Sequence, residues 1–117
     1  MDIRNKDSPL VYICSPFSGD VEGNTQRARL YSRLAVEHGC IPLAPHLLFP
    51  QFISEATERE TAIHFGLRLL KSCEELWICG GIVSTGMRNE IAQAEKLGMT
   101  IRNIKEEEIK CMQLPKD

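Results

Sequence analysis

ELWICGGIVSTGMRNEIAQAEKLG, residues 75–98, reads as a short apolar strand, a turn with paired glycines and an amphipathic helix. Ser84 stands where the N-cap of that helix is expected, and Gly98 stands just beyond its last turn. A strand that is apolar throughout is typical of a parallel sheet with both faces covered. Residues 75–98 therefore predict a strand–turn–helix unit of an α/β fold.

The rest of the chain repeats this alternation of strands and helices. We expect strands at LVYIC (10–14), CIPLA (40–44) and MTIRNI (99–104), a helix over 25–38 closed by Gly39, and a helix of about 16 residues from Thr57, capped by Thr57 and Glu60. PHLLFPQFIS (45–54) is expected to be a long connection. The pattern predicts a three-layer α/β/α sandwich with a parallel sheet of about four to five strands and right-handed crossovers.

Length and charge narrow the possible classes of protein. The 117 residues suit one domain over 1–117, with its core over about 10–104. The net charge is -2 without clustered Lys or Arg, which argues against a nucleic acid polymer as partner. The N-terminal MDIRNKDSPL lacks the apolar core of a signal peptide, and no apolar run approaches the roughly 18 residues of a membrane span. We expect a cytoplasmic protein without a membrane partner.

Cysteine usage predicts neither disulfides nor a zinc site. The five cysteines are an odd number and include no C-x-x-C pair. No His, Cys, Asp and Glu cluster has ligand spacing, so we expect no metal and no other cofactor. Cys14 and Cys79 lie in apolar runs, where a thiol usually packs as a small hydrophobic group. A nucleophilic role for a cysteine is the alternative.

Ligands of open parallel sheets bind beyond the carboxyl ends of the strands. Three segments follow the expected strands at that edge: SPFSGD at 15–20, PHLLFP at 45–50 and CGGIVSTG at 79–86. We expect these segments to converge on one cleft.

Glu90 is a charged residue on the apolar side of a helix. On a wheel at about 100° per residue, the core-facing arc of the helix after Ser84 contains Met87, Ile91, Ala94, Leu97 and Gly98. Glu90 falls inside this arc, near the helix N-terminus that opens onto the expected cleft. A carboxylate in a cleft is a candidate for catalysis because burial shifts its pKa. The alternative is that Glu90 reaches water or caps a backbone group.

The turn before this helix is a second candidate feature. Ser84, Thr85 and Gly86 combine hydroxyls with free backbone N–H groups, which together can seat a phosphate or carboxylate, although capping alone explains a serine there. The paired glycines at 80–81 and the unusual Glu90 favour a functional turn. The sequence contains neither G-x-G-x-x-G nor G-K-[ST], so dinucleotide and P-loop sites are excluded.

Three polar residues near the other strand ends have two interpretations each. Asn24 and Arg27 begin the core-facing side of the first helix, where they can hold a substrate hydroxyl or phosphate or simply form its polar first turn. His46 follows the second strand and is either a ligand contact or acid/base group, or merely exposed.

Two motifs carry a resemblance to a known family. They are Y-x-x-x-P-F at Tyr12–Phe17 and G-G-x-x-S-x-G-x-x-x-E at Gly80–Glu90. Together with the proline after the second strand, they resemble the nucleoside 2-deoxyribosyltransferase-like superfamily over about residues 10–104. The resemblance is closest to its small phage and bacterial branches, and it extends to the deoxynucleoside monophosphate N-glycosidases. It implies a flavodoxin-like, Rossmann-like fold.

The resemblance also implies roles for individual residues. Glu90 corresponds to the glutamate that attacks the anomeric carbon, and Tyr12 to the tyrosine that orients it. Ser84 corresponds to a serine that helps to bind 5′-phosphate, and residues 15–19 to the turn that lines the sugar pocket. The predicted substrate-binding residues are Ser15, Pro16, Phe17, Ser18, Gly19, Asn24, Arg27, His46, Gly81, Ser84, Thr85, Gly86 and Met87.

The chain departs from the family at two positions. Gly66 stands where the family commonly has an aspartate that handles the base or its proton, and Ser18 stands where the glycosidases have an arginine. Carboxylate attack on an anomeric carbon also needs a group that protonates the leaving base. His46 or His64 is a substitute, although His64 lies outside the core-facing arc of its helix.

We therefore expect an N-glycosidase or deoxyribosyltransferase acting on a nucleoside or nucleotide. One alternative is a protein that binds a nucleotide derivative without turnover, and another is a structural subunit with a vestigial cleft. Phe65 and Leu69 fall away from the core-facing centre of their helix, and HLLFPQF is a strongly apolar loop. These features predict a homodimer or higher oligomer in which a neighbour completes the pocket.

Overall fold

A computed structural model describes residues 7–117 of the chain. The elements are β1 (Leu10–Cys14), α1 (Val21–Glu37), β2 (Ile41–Leu43), α2 (Pro45–Leu48), α3 (Arg59–Leu70), β3 (Glu75–Cys79), α4 (Thr85–Lys96) and β4 (Thr100–Ile104), with 3-10 turns at Phe49–Gln51 and Glu106–Ile109. The part of the expected 1–117 domain formed by residues 1–6 lies outside the described residues.

The four strands form one parallel sheet in the order β2-β1-β3-β4. The chain leaves β1 for β2 on one side and returns past β1 to β3 on the other, so the strand order reverses between β1 and β3. Such a reversal opens a crevice at the carboxyl ends of these two strands. The expected parallel α/β fold is confirmed.

Two hydrophobic cores cover the two faces of the sheet. We call them the α1-side core and the α3/α4-side core. Val11 and Ile13 point into the α1-side core, whereas Tyr12 and Cys14 point into the α3/α4-side core. Successive side chains of a strand alternate between faces, so a strand buried on both faces must be apolar throughout. This explains the uniform apolar character of LVYIC and confirms the three layers.

Helix α1 begins at Val21, one turn before the predicted start at residue 25. Asp20 is its N-cap, and the Asp20 carboxylate accepts a hydrogen bond from the Gly23 N–H at 3.1 Å. A Cβ at Gly23 would lie 2.2 Å from the Asp20 carboxylate oxygen, so glycine is needed beneath this cap. The glycines at 19 and 23 read as loop signals in the sequence, but they serve the helix start.

The connection after β2 is more ordered than predicted, because it contains α2 and the 3-10 turn at Phe49–Gln51. The capping box expected at Thr57 and Glu60 is wrong, and α3 begins at Arg59. Instead, the Ser54 N–H donates to the Glu58 carboxylate at 2.9 Å, and the Thr57 N–H donates to the Ser54 hydroxyl at 3.3 Å. These bonds close a turn that postpones the helix.

Helix α4 begins as predicted, since the Ser84 hydroxyl accepts a hydrogen bond from the Met87 N–H at 3.3 Å. Met87 is only 1% exposed, whereas Leu97, which the wheel placed on the core-facing arc, is 45% exposed. Leu97 lies at the edge of that arc and is the C-cap residue that follows Lys96, the last residue of the helix. No helix within residues 7–117 is both long and apolar enough to cross a membrane.

Candidate active site

A cavity of about 330 Å³ opens at the carboxyl ends of the strands. The three segments expected to converge there do so, because Pro16–Ser18, Pro45–His46 and Ser84–Gly86 all contribute to its wall. The full lining is Tyr12, Pro16, Phe17, Ser18, Pro45, His46, Phe49, Pro50, Glu55, Arg59, Ala62, Ile63, Gly66, Ser84, Thr85, Gly86 and Glu90. The cavity therefore lies between the turn after β1, the α2–α3 segment and the start of α4.

Glu90 faces the cavity from the second turn of α4 and is only partly exposed. The Tyr12 hydroxyl donates a hydrogen bond to Oε2 of Glu90. The Cys14 thiol donates to the other carboxylate oxygen, Oε1, at 3.5 Å. Glu90 forms no ion pair with any residue in the described part of the chain. The carboxylate is thus held by neutral donors and left without a countercharge.

Burial raises the pKa of Glu90, because it disfavours the charged carboxylate, and the hydrogen bonds from Tyr12 and Cys14 oppose that shift. Burial is also the main cause that raises the pKa of the Tyr12 hydroxyl, followed by the negative charge of Glu90. Tyr12 therefore stays protonated and acts as a donor at every ordinary pH. Glu90 remains the acceptor whose charge responds to pH.

The start of α4 forms the wall next to Glu90. The Ser84 hydroxyl oxygen caps the helix, which leaves its O–H free to donate into the cavity. Thr85 and Gly86 also line the cavity, and the first N–H groups of a helix lack intrahelical partners. This wall offers several donors to an anionic or hydroxyl group, next to the positive end of the helix dipole.

His46 lies across the cavity, where its ring stacks on Phe17 with 5.1 Å between centroids. Burial lowers the pKa of His46; the Glu55 carboxylate opposes this shift and the Arg59 guanidinium adds to it. The imidazole is therefore neutral at pH 7. Both residues line the cavity, so the pair offers aromatic contacts to a ligand there.

Glu55 and Arg59 were not predicted from the sequence. Their side chains form an ion pair at 3.5 Å, and both line the cavity. Arg59 is the only Lys or Arg among the lining residues. The sequence analysis predicted a helix from Thr57, which contains Arg59, and assigned that residue no role. The sequence did indicate that the segment after β2, residues 45–50, reaches the cleft. That segment ends before residue 59, so it did not point to Arg59.

Asn24 and Arg27 are not among the lining residues. The Asn24 amide donates to the carbonyl oxygens of Phe17 and Ser18, at 3.0 and 3.1 Å. Arg27 donates to the Asn24 side-chain oxygen at 2.8 Å and lies 3.7 Å from the Asp20 carboxylate. Both side chains are occupied in fixing the turn after β1, so they shape the cavity from behind.

Four other predicted contacts also lie outside the lining. Met87 packs in the α3/α4-side core. Ser15 is buried, and its hydroxyl has no hydrogen-bond partner among residues 7–117. Gly19 and Gly81 are exposed at the surface. Met87 therefore points into the core rather than into the cavity, and Ser15, Gly19 and Gly81 lie outside the cavity wall.

Gly66 lines the cavity next to Tyr12, at the position where the resembled family has an aspartate. A Cβ at Gly66 would lie 3.0 Å from the Tyr12 hydroxyl oxygen, so any side chain here requires Tyr12 to shift by a few tenths of an ångström. His64 is exposed and does not line the cavity. Of the two histidines considered as proton donors, only His46 reaches it.

Exposed apolar side chains lie beside the cavity. Ile63 lines it, and Phe52 and Phe65 pack edge-on against Phe49, which also lines it. Phe52 is 66% exposed, and Ile63 and Phe65 are also exposed; we call these three residues the apolar rim. Leu69, by contrast, packs against the α3/α4-side core, so its expected outward position is wrong. Within residues 7–117, no group of three or more His, Cys, Asp or Glu side chains is arranged to hold a metal ion.

The fold and the cavity describe an α/β protein with a carboxylate held beneath the carboxyl edge of a parallel sheet. Residues 9–104 match the family described as "Domain of unknown function (DUF7768)", and the chain belongs to that family. No curated protein matches the chain.

The chain is also similar to a solved structure, a 2-desoxiribosyltransferase from Leishmania mexicana, with a TM-score of 0.64 and 15% sequence identity. The match covers 83% of this chain but only 64% of that protein. This likeness shows that the two proteins share a fold, and it agrees with the fold that the sequence motifs imply.

Proposed function

We propose that this protein cleaves or transfers the N-glycosidic bond of a nucleoside or nucleotide, with Glu90 as the nucleophile. The observation that carries the proposal is the position of Glu90, which faces a cavity beneath the sheet edge and is held by Tyr12, with no ion-pair partner among residues 7–117. A carboxylate without a cationic partner keeps its negative charge available for a developing oxocarbenium ion. The shared fold and the Ser84–Glu90 spacing support the same reading.

In the first step, a Glu90 oxygen forms a bond to the anomeric carbon as the bond from that carbon to the base nitrogen breaks. The electron pair of the broken bond leaves with the base, which takes up one proton. Water then attacks the glycosyl ester and releases the sugar and Glu90, or a second base attacks and completes a transfer. Tyr12 keeps its proton throughout and orients the carboxylate.

His46 is the proposed proton donor to the leaving base, because it lines the cavity whereas His64 does not. Its lowered pKa means that only a small fraction is protonated at neutral pH. Glu90 must be ionised in the same molecule, and burial raises its pKa. Molecules in which His46 is protonated and Glu90 is ionised are therefore scarce. We expect slow turnover, with a rate that depends on pH in a bell-shaped curve.

The start of α4 is the proposed seat for the 5′ end of the sugar. Ser84, Thr85 and Gly86 offer hydrogen-bond donors on the same side of the cavity as Glu90. A 5′-phosphate there gains from the helix dipole, whereas a 5′-hydroxyl gains only hydrogen bonds. We therefore expect 5′-monophosphates to bind more tightly than the matching nucleosides. The stacked pair of Phe17 and His46 is the proposed contact for the base.

The test is release of free base from a panel of nucleosides and 5′-monophosphates, followed by chromatography. Glu90→Gln should lower the rate about 10³-fold or more, because an amide cannot attack the anomeric carbon. Glu95→Gln is the matched control, since Glu95 lies on the exposed side of the same helix, outside the cavity. Equal rates for wild type and Glu90→Gln would contradict the proposal.

The second candidate function is binding of a nucleotide derivative without turnover. Gly66 favours it, because a glycine stands where the nucleoside 2-deoxyribosyltransferase-like superfamily commonly has an aspartate that handles the base or its proton. In that case wild type releases no base from any member of the panel, yet a panel member raises the melting temperature. Wild type that neither releases base nor is stabilised by any nucleotide would contradict both functions and favour a vestigial cleft.

We further propose that the protein forms a homodimer or higher oligomer through the apolar rim. Ile63 lines the cavity, Phe52 and Phe65 pack against its lining residue Phe49, and all three are exposed in a single chain. Contact with a neighbour at this rim would narrow the opening and exclude water. Light scattering of wild type and Phe52→Asp tests this, with dissociation expected in the variant; a monomeric wild type would contradict it.

A further inference from the structure

Cys14 occupies a position that packing alone does not explain. It is the last residue of β1, is 0% exposed, and shares the α3/α4-side face with Tyr12. Its thiol lies 3.5 Å from Oε1 of Glu90, whereas the Tyr12 hydroxyl donates to Oε2. Each oxygen of the carboxylate therefore has its own donor, and both donors come from one strand.

Two donors constrain a carboxylate more than one does. The terminal torsion of a glutamate is broad, so a single hydrogen bond leaves the carboxylate plane free to turn about the bonded oxygen. A second donor on the other oxygen fixes the plane. Residues two apart on a strand point to the same face, so Tyr12 and Cys14 both face Glu90 and each contacts one of its oxygens.

The thiol has a choice of acceptors, which depends on the charge of Glu90. The backbone carbonyl oxygen of Met87 is 3.9 Å from the Cys14 sulfur, farther than the Glu90 oxygen. An ionised carboxylate is the stronger acceptor, so the thiol donates to Glu90 when Glu90 is charged. No hydrogen bond or ion pair joins Glu90 to His46 on α2 or to Arg59 on α3.

We propose that Cys14 is a positioning residue, whose thiol fixes the plane of the Glu90 carboxylate and favours its ionised form. The consequence for turnover rests on the proposed function. The orientation and proton affinity of Glu90 belong to the free protein and can be measured without any substrate.

Cys79 provides a matched control. It is also 0% exposed and also ends a central strand, β3, but its thiol lies 3.5 Å from the Trp77 carbonyl oxygen in the α1-side core. Cys79→Ala also removes a fully buried thiol, but one that does not contact Glu90. Cys14→Ser keeps a donor at the position of interest.

The first test is a ¹³C NMR titration of the whole protein with ¹³C-labelled glutamate, in which Glu90 is assigned by its absence from Glu90→Gln. Cys14→Ala should raise the pKa of Glu90 above that of wild type, because a donor to the charged form is lost. Cys79→Ala should leave it unchanged, and Cys14→Ser should stay close to wild type. No shift in Cys14→Ala, or an equal shift in Cys79→Ala, would overturn the proposal.

The second test uses base release. Cys14→Ala should lower kcat roughly three- to tenfold with little change in KM, since a weak hydrogen bond to the nucleophile is lost while the rest of the cavity stays intact. Cys14→Ser should recover most of kcat, and Cys79→Ala should match wild type. Equal losses in both alanine variants would overturn the proposal. If wild type releases no base, the proposed function fails, and the titration still decides the role of Cys14.

Discussion

The two faces of the sheet carry the same pair of buried residue types with different surroundings. On the α1 side, the Tyr31 hydroxyl has no hydrogen-bond partner among residues 7–117, and the Cys79 thiol contacts a backbone carbonyl. On the α3/α4 side, Tyr12 and Cys14 both donate to the carboxylate of Glu90.

The tyrosine pKa values follow this difference between the faces. Burial raises the pKa of Tyr31 to about 12, and burial together with the Glu90 charge raises that of Tyr12 further. A buried tyrosine and cysteine alone do not make a site; the adjacent carboxylate distinguishes the two faces.

The largest difference between the two faces is expected when one tyrosine hydroxyl is removed at a time. Tyr12→Phe should slow base release roughly ten- to a hundredfold, since a hydrogen bond to a charged group contributes about 1.5–3 kcal/mol. Tyr31→Phe should leave the rate within about twofold and keep or raise stability, because it removes an unpaired buried hydroxyl. Rates and urea unfolding of both variants check this. Similar slowing in both variants would show that the faces do not differ in function.

A smaller effect is expected from Gly66→Ala. The added Cβ would lie 3.0 Å from the Tyr12 hydroxyl oxygen, so the ring must shift by a few tenths of an ångström away from its bond with Glu90. We expect about a fivefold lower kcat, within the range for a weakened hydrogen bond, and a Glu90 pKa above that of wild type. Steady-state kinetics with the labelled-glutamate titration measures both. An unchanged titration would mean that Tyr12 adapts without losing Glu90.

The charge of Glu90 predicts how stability depends on pH. Its pKa is raised in the folded protein, so the fold favours the protonated form, and this stabilisation is lost as pH rises through the folded-state pKa. Glu90→Gln stays neutral, and it should therefore become more stable than wild type as pH rises. Below about pH 4, near the pKa of an unfolded glutamate, the difference should be small. Urea unfolding across this range tests it, and a pH-independent difference would contradict the assigned burial.

The smallest effect is expected at the end of α4. Leu97→Ala should change the free energy of unfolding by no more than about 0.5 kcal/mol, because Leu97 is largely exposed. Met87→Ala should cost about 2–5 kcal/mol, since Met87 is buried in the α3/α4-side core. Chemical denaturation of both variants measures the contrast. A large cost at Leu97 in the assembled protein would place it in a contact between chains.

Most of the architecture was predictable because its signals are local. The apolar strands, the Ser84 cap and the glycine at 98 each follow from residues near in sequence, and helical periodicity placed Glu90 on the inward side of α4. The errors arose where side chains compete for backbone groups. Asp20 extends α1 through a glycine-rich stretch, and Ser54 delays the start of α3.

The site was predictable only in part. The sequence placed Glu90 on the inward side of α4 and predicted that three loops converge on one cleft, which they do, since the carboxyl ends of parallel strands share one edge. It could not identify Arg59, whose place in the wall depends on the path of the segment after β2. It also could not show that Asn24 is already engaged by the carbonyl oxygens of the turn after β1.

Local chemistry along the chain thus accounts for the order of strands and helices and for an inward-facing acid on α4. The family resemblance pairs Tyr12 with Glu90, but only the packing of α4 against β1 brings Cys14, 76 residues away in the sequence, to the other oxygen of that acid. Contacts over such distances depend on the sum of many weak packing interactions, which no short pattern of residues records.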